Sequence, residues 1–204
     1  FGFGQVAENF IKKLSLENYD INLSATSRDQ SSLKKIGKIT YRNFNFKDEK
    51  FDANLIAEIK KSDHILISIP PINGKDLVIK NFSKIIENSK VKWLTYLSAT
   101  SVYGDHIGKW VDENSQTKPK SSNGLSRLYA EKEWMSLSIS KKIPLQIFRL
   151  SGIYSDEKNI LLRLKSGKVN LIKKKNHFFS RIHVDDIANI LFKSLEIFKN
   201  REIF

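Results

Sequence analysis

The sequence predicts a doubly wound α/β fold, in which a mostly parallel sheet is covered by helices on both faces. Three observations predict it. Short, nearly continuous apolar runs recur along the chain, as expected of parallel strands buried on both sides. Segments with helical spacing of apolar residues alternate with those runs. The chain also opens with a glycine-rich turn that leads straight into an amphipathic helix.

The elements follow in order. In residues 5–14, Val6, Phe10, Ile11 and Leu14 form one apolar stripe and predict the first helix. Strands are predicted at "DINLSATSR" (20–28), "KITYRN" (38–43), "DHILISIP" (63–70), "KWLTYLSA" (92–99) and "LQIFRL" (145–150). Further helices are predicted over 51–60, 74–88, 122–140 and 184–198. Alternation at this pace means βαβ units with right-handed crossovers. The opening Phe1-Gly2-Phe3-Gly4 has no strand before it. A doubly wound sheet needs a strand there, at its centre, or its neighbours would bury unpaired N–H and C=O groups. The expectation is therefore that the chain begins just inside that first strand, and that "REIF" at the end is a strand cut short. Residues 1–154 and 181–204 are assigned to the main domain, and 155–180 to part of a small substrate lobe.

Composition narrows the function classes. At 204 residues, with 40% hydrophobic and 28% charged residues, the chain suits one globular domain with a sizeable core. The absence of cysteine excludes disulfides and thiolate chemistry and makes a reducing cytoplasm the default compartment. No apolar run approaches the roughly 20 residues of a membrane helix. "HILISIPPI" is short and broken by prolines, and "FGFGQVAENF" lacks the regions of a signal peptide. The net charge of +13 raises nucleic-acid binding, but the lysines are scattered and no basic stripe carries interleaved aromatics. A solvated basic surface that favours a polyphosphate ligand is expected instead, with neither nucleic acid nor membrane as partner.

"GFGQVA" (2–7) fits G-x-G-x-x-A, a dinucleotide fingerprint built here from Gly2, Phe3, Gly4, Gln5 and Val6. The first glycine permits the tight turn, the second lets backbone approach a pyrophosphate, and the small third residue allows close helix packing. The helix starting near Gln5 points its N–H groups at the phosphates. The second strand ends in Thr26-Ser27-Arg28-Asp29. Arg28 suits the 2′-phosphate of NADP, whereas Asp29 would read the ribose hydroxyl of NAD. Ser27 and Arg28 come first, which favours NADP.

"YLSATSVYGD" (96–105), "WVDENSQTKP" (110–119), "GLSRLYAEKEW" (124–134), "FRLSGIY" (148–154) and "FSRIHVDDIANIL" (179–191) follow in that order. Through them the chain resembles an extended short-chain dehydrogenase/reductase, and more narrowly the atypical NAD(P)-dependent epimerase/dehydratase-like proteins. The resemblance spans nearly the whole chain. It implies an NAD(P)-binding Rossmann domain with a small C-terminal substrate lobe and a site between them. It also implies cofactor contacts at Gly2, Gly4, the Arg28 region, Ile69-Pro70 and Ser98. Family members use a Ser or Thr, a Tyr and a Lys. Matching their pattern to "VYG" and "NGLSRLYAE" puts Ala99, Asn123 and Arg127 at those three positions.

All three depart from the pattern. Ala99 has no hydrogen-bonding side chain, although Ser98, Thr100 and Ser101 are close in sequence. Asn123 hydrogen-bonds but does not titrate, so it cannot act as general acid or base. Arg127 keeps a charge able to hold ribose hydroxyls or a phosphate. Tyr129 and Lys132 are not that pair slipped along the helix. Tyr129 lies about 200° around from Arg127, which makes it a packing residue beside a solvated amine. Tyr103, Asp105, His106, Asp112, Glu113 and Tyr154 remain as substitute proton donors or as structural residues. In "HVDDIA", His183, Asp185 and Asp186 read as a helix N-terminus rather than metal ligands. "KKKNHFF" (173–179) is a phosphate clamp or an exposed hairpin tip, with the tip favoured.

Two functions stay open. One is an NAD(P)-dependent epimerase/dehydratase or oxidoreductase with an unusual proton donor, acting on a small polar or sugar-like substrate. The other is a catalytically silent NADP-binding sensor or regulatory module. The expected partners are a small-molecule substrate and a second copy of the chain in a homodimer.

Overall fold

Apolar side chains of the central strand β6 (Trp93–Ala99) alternate between two separate cores, and this alternation dictates the layering. Leu94 and Tyr96 enter one core, while Trp93 and Leu97 enter the other. Helices must therefore cover both faces. In the computed structural model, which describes residues 1–47, 50–167, 169 and 178–204, they do.

The chain runs α1 (Gln5–Leu16), β1 (Ser24–Ser27), β2 (Ser32–Ile36), β3 (Ile39–Lys47), β4 (Lys50–Phe51), α2 (Leu55–Lys61), β5 (His64–Ile67) and α3 (Leu77–Glu87). After β6 come α4 (Ser122–Lys141), β7 (Leu145–Leu150), β8 (Gly152–Tyr154), α5 (Ile160–Lys165), β9 (Arg181–His183), α6 (Val184–Glu196) and β10 (Glu202–Ile203). One four-stranded sheet is parallel, in the order β10-β7-β6-β5; a second has the order β1-β3-β2, with β4 paired to β3, and β8 and β9 form a separate parallel pair. Helices α2, α3 and α4 cover one face through Leu55, Ile59, Val78, Phe82, Ile86 and Trp134. Helices α1 and α6 cover the other through Phe10, Ile11, Leu14, Val184, Ile187 and Leu191. The doubly wound α/β architecture expected from the sequence is the one observed.

Residues 1–3 lie between the two sheets. The Ser68 N–H donates to the Phe1 carbonyl at 2.8 Å, and the Phe3 N–H donates to the Thr26 carbonyl at 2.8 Å. These residues thus stand between β1 and β5. A cleft of about 680 Å³ adjoins them, lined by the facing edges of β1 and β5 and by Phe10 and Leu14 of α1.

One element was not expected. Between the parallel strands β1 and β3 the sequence pattern offers no strand, yet Ser32–Ile36 forms β2, antiparallel to β3. Its side chains are mostly exposed, Leu33 at 70%, so it carries no apolar signature. The hairpin is closed by Gly37, whose φ of +56° favours glycine. The strand predicted at 63–70 ends earlier, at Ile67, before the Pro70-Pro71 pair. At the chain end, Glu202–Ile203 does add a parallel strand beside β7. Among the described residues, no helix is long and apolar enough to cross a membrane.

Candidate functional site

The glycine turn is built from contacts that only its sequence allows. Gly2 has φ +83°, and a Cβ there would stand 2.8 Å from Ile69 Cγ1 and 3.2 Å from the Ile69 nitrogen. Any side chain at position 2 would be strained by its backbone conformation and crowded by Ile69. The Gly2 N–H donates to Thr26 Oγ1 at 3.0 Å, which ties the turn to the end of β1. Gly4 differs. It caps α1 in an extended conformation, no side chain caps the helix, and nothing lies within 4 Å of where its Cβ would be. The first turn of α1, through Gln5 and Val6, therefore presents backbone donors and the positive end of the helix dipole to open space. This cradle fits a pyrophosphate. The structure brings Ile69 against this turn, and the next residue, Pro70, is exposed.

At the end of β1, the backbone after Ser27 is pinned by β3. Asn45 Nδ2 donates to the Arg28 carbonyl at 3.1 Å and to the Asp29 carbonyl at 2.9 Å. Arg28 itself is exposed. The Asp29 carboxylate is met by Lys34 Nζ at 2.7 Å, and the hydrogen bond and charge of Lys34 hold its carboxyl below the usual range. Lys34 faces Tyr41 in the β2–β3 register, and the Tyr41 ring lies 4.8 Å from that of Phe3 in the fingerprint.

The far end of β6 is closed by comparison. Ser121 caps α4, its hydroxyl accepting the Gly124 N–H at 3.2 Å. A Cβ at Gly124 would meet the Ser101 carbonyl at 2.6 Å and Pro119 Cβ at 2.8 Å, so α4 starts hard against the turn after β6. Asn123 is exposed there, and Ala99 is half-buried. Arg127 donates to the Leu97 carbonyl. Ser98 is buried, and its hydroxyl has no partner among the described residues. The Tyr96 hydroxyl lies on the same strand face near Arg127, and burial pushes its pKa far up.

The substitute donors are mostly committed. Tyr103 is buried, with the Arg149 guanidinium 4.9 Å from its ring centre. His106 Nε2 lies 3.1 Å from both the Tyr103 and Gln116 carbonyls, so its N–H clamps the loop. Asp105 and Asp112 accept local backbone N–H groups, of Ile107 at 2.8 Å and Asn114 at 3.1 Å. Glu113 is exposed. The Tyr154 ring rests 5.0 Å from that of His183, and His183 caps α6, where Asp185 and Asp186 fill the first turn. No group of three or more His, Asp or Glu able to hold a metal occurs among the described residues. Tyr129 is 57% exposed and Lys132 is exposed, so Tyr129 points away as expected but packs less than expected. Residues 173–177 of "KKKNHFF" lie outside the described residues; Phe178 and Phe179 are exposed.

Sequence reasoning missed three features, one ion pair and two single residues. Glu131 and Arg149 form a buried bidentate pair, with Arg149 Nη2 at 2.7 Å from Glu131 Oε2. Asp76 caps α3 through Val78 and Ile79 and accepts Trp134 Nε1 at 3.0 Å; burial holds its carboxyl above the usual range. Lys34 is the third. Glu131 was visible as the last residue of "NGLSRLYAE", but its partner is too distant in sequence to be signalled.

No protein-family model matches the chain, and a search of curated proteins finds no relative. Solved structures do match. A functionally unknown conserved protein from Silicibacter pomeroyi is 29% identical, with a TM-score of 0.82 over 100% of this chain and 69% of that one. UDP-N-acetylglucosamine 4-epimerase from Bacillus cereus is 17% identical, with a TM-score of 0.72 over 100% of this chain and 74% of that one. UDP-glucuronic acid 4-epimerase from Bacillus cereus, solved in complex with NAD, is 17% identical, with a TM-score of 0.71 over 98% and 73%. The chain shares its fold with NAD-binding sugar-nucleotide epimerases.

Proposed function

We propose that the chain binds a nicotinamide dinucleotide and is of the epimerase/dehydratase-like short-chain dehydrogenase/reductase type, in an atypical branch. One observation carries the reading: an open, uncapped α1 N-terminus at Gly4 beside a Gly2 whose φ of +83° and tight clearance from Ile69 disfavour any side chain. Gly2, Phe3, Gly4, Gln5 and Val6 hold the pyrophosphate. Ile69, Pro70, Ser98 and Arg127 border the rest of the cofactor, and Arg28 favours NADP over NAD. When bound, the nicotinamide supplies hydride exchange. Ala99 and Asn123 supply no proton. The solved epimerases support a small, sugar-like substrate.

A second reading, a silent NADP-binding sensor, is favoured by the committed state of His106 and Tyr103 and by the hydrogen bond of Arg127 to Leu97. Calorimetric titration with NADP+, NADPH, NAD+ and NADH tests the shared part; binding is expected, and no binding of any of the four overturns both readings. Incubating the NADP-loaded chain with UDP-sugars then separates them. Interconversion of a sugar, followed by NMR, selects the enzyme. Unchanged sugars with intact cofactor binding select the sensor.

A further inference from the structure

The connection from β1 to β3 runs through the antiparallel strand β2, and this detour carries a cation to the tip of β1. Lys34 sits third along β2 and reaches back to Asp29 at 2.7 Å. The bend it reaches is not loose. Asn45 holds the Arg28 and Asp29 carbonyls, Asn43 Nδ2 lies 3.4 Å from the Gln30 carbonyl, and the Asp29 N–H donates to Ser27 Oγ at 3.1 Å. A fixed bend holds Arg28, Asp29 and Lys34 in one small region next to Tyr41 and Phe3.

We infer that Lys34 sets the choice between a phosphorylated and an unphosphorylated ribose at the β1 tip. With Arg28 it offers two cations to a 2′-phosphate, and by pairing with Asp29 it neutralises the carboxylate that would repel one. This rests on the reading that a dinucleotide binds at the glycine turn. The charge balance supports it. With Lys34 present, two cations face one carboxylate. Without it, Arg28 and Asp29 cancel, and the freed carboxylate accepts hydrogen bonds from ribose hydroxyls. An ammonium has three N–H donors, so Lys34 can keep its contact with Asp29 and still offer a donor to a phosphate carrying a charge of about −2. The sequence hides this role, because Lys34 stands in a segment without strand signature, five residues beyond the carboxylate it meets.

The test uses the whole chain and binding alone. NADP+ and NAD+ are titrated calorimetrically into the wild type, Lys34→Met and Lys34→Met/Asp29→Asn. Adenosine 2′,5′-bisphosphate and adenosine 5′-monophosphate serve as probes that lack the nicotinamide. The wild type is expected to prefer the 2′-phosphorylated member of each pair. Lys34→Met should lose about tenfold in affinity for those ligands while holding NAD+ and adenosine 5′-monophosphate within about threefold. Adding Asp29→Asn should recover part of the loss, because the uncovered carboxylate is gone. Equal weakening of both ligand classes by Lys34→Met, no change in either, or a wild-type preference for NAD+ overturns the role of Lys34. Failure of the wild type to bind any of the four ligands overturns the dinucleotide reading, and the inference with it. Lys34 is half-buried on an edge strand and packs into neither core, so the thermal midpoint of the variant should stay close to that of the wild type.

Discussion

The two ends of the site, the turn before α1 and the turn before α4, are both helix starts pressed against strand ends, yet they are built oppositely. At α1 the N-cap is a glycine with no capping side chain and empty space beside it. At α4 Ser121 supplies the cap, and Gly124 lies against Ser101 and Pro119, so no space remains. The open end leaves backbone donors for a ligand to satisfy. The closed end meets its helix donors through Ser121, and its side chains are largely paired: Arg127 bonds Leu97, His106 clamps its loop, and Arg149 joins Glu131 beneath Tyr103. The open end is the one that the proposed dinucleotide would satisfy, and the ordered second end keeps the fold rigid beside it.

The contrast is broken most violently by Arg149→Met. The Arg149 and Glu131 side chains are 6% and 4% exposed, so the variant leaves a buried carboxylate without its cation. The expected loss is about 3–5 kcal/mol in urea denaturation. A loss below about 1 kcal/mol would mean that the closed end is solvated and the comparison fails.

Gly4→Ser sharpens the same contrast at the open end, with binding and stability moving in opposite directions. Gly4 already has the extended conformation of an N-cap, and room for a side chain exists. A serine hydroxyl there should satisfy a first-turn N–H and raise stability by a few tenths of a kcal/mol, roughly the Ser–Gly difference at such sites. The same hydroxyl stands where a phosphate would approach, so dinucleotide affinity should fall about tenfold or more. Calorimetry and thermal melting on one sample read both. A variant that is destabilised and binds normally would remove Gly4 from the site.

How much of this was legible in the sequence follows the physics of each part. The two-sided sheet announced itself because burial on both faces forces continuous apolar runs, as in "KWLTYLSA". The glycine turn announced itself because φ and clearance favour glycine at position 2. Strand β2 did not, since an edge strand with exposed side chains needs no apolar pattern, and its identity comes from pairing with β3. The closed end was half legible. Residue types at 99, 123 and 127 revealed what chemistry is absent, but the partners that hold Arg127, Glu131 and Asp76 are 18 to 58 residues away in sequence. Such pairs leave no local trace.

The smallest effect expected is that of Asn123→Tyr, and its smallness is informative. Asn123 is exposed, so stability should change by less than about 0.5 kcal/mol. A tyrosine restores the residue type of a proton donor, but a phenol becomes useful only when a nearby cation lowers its pKa. Arg127, one turn along α4, directs its guanidinium to the Leu97 carbonyl instead. The introduced phenol should therefore titrate near its ordinary value of about 10, followed by ultraviolet absorbance. Adding Arg127→Lys gives up the guanidinium fork and its bond to Leu97, and a freed ammonium should then lower the phenol pKa. A single Asn123→Tyr variant whose phenol already titrates well below 10 would show that Arg127 turns toward position 123 after all. The closed end would then be one substitution from a working proton donor.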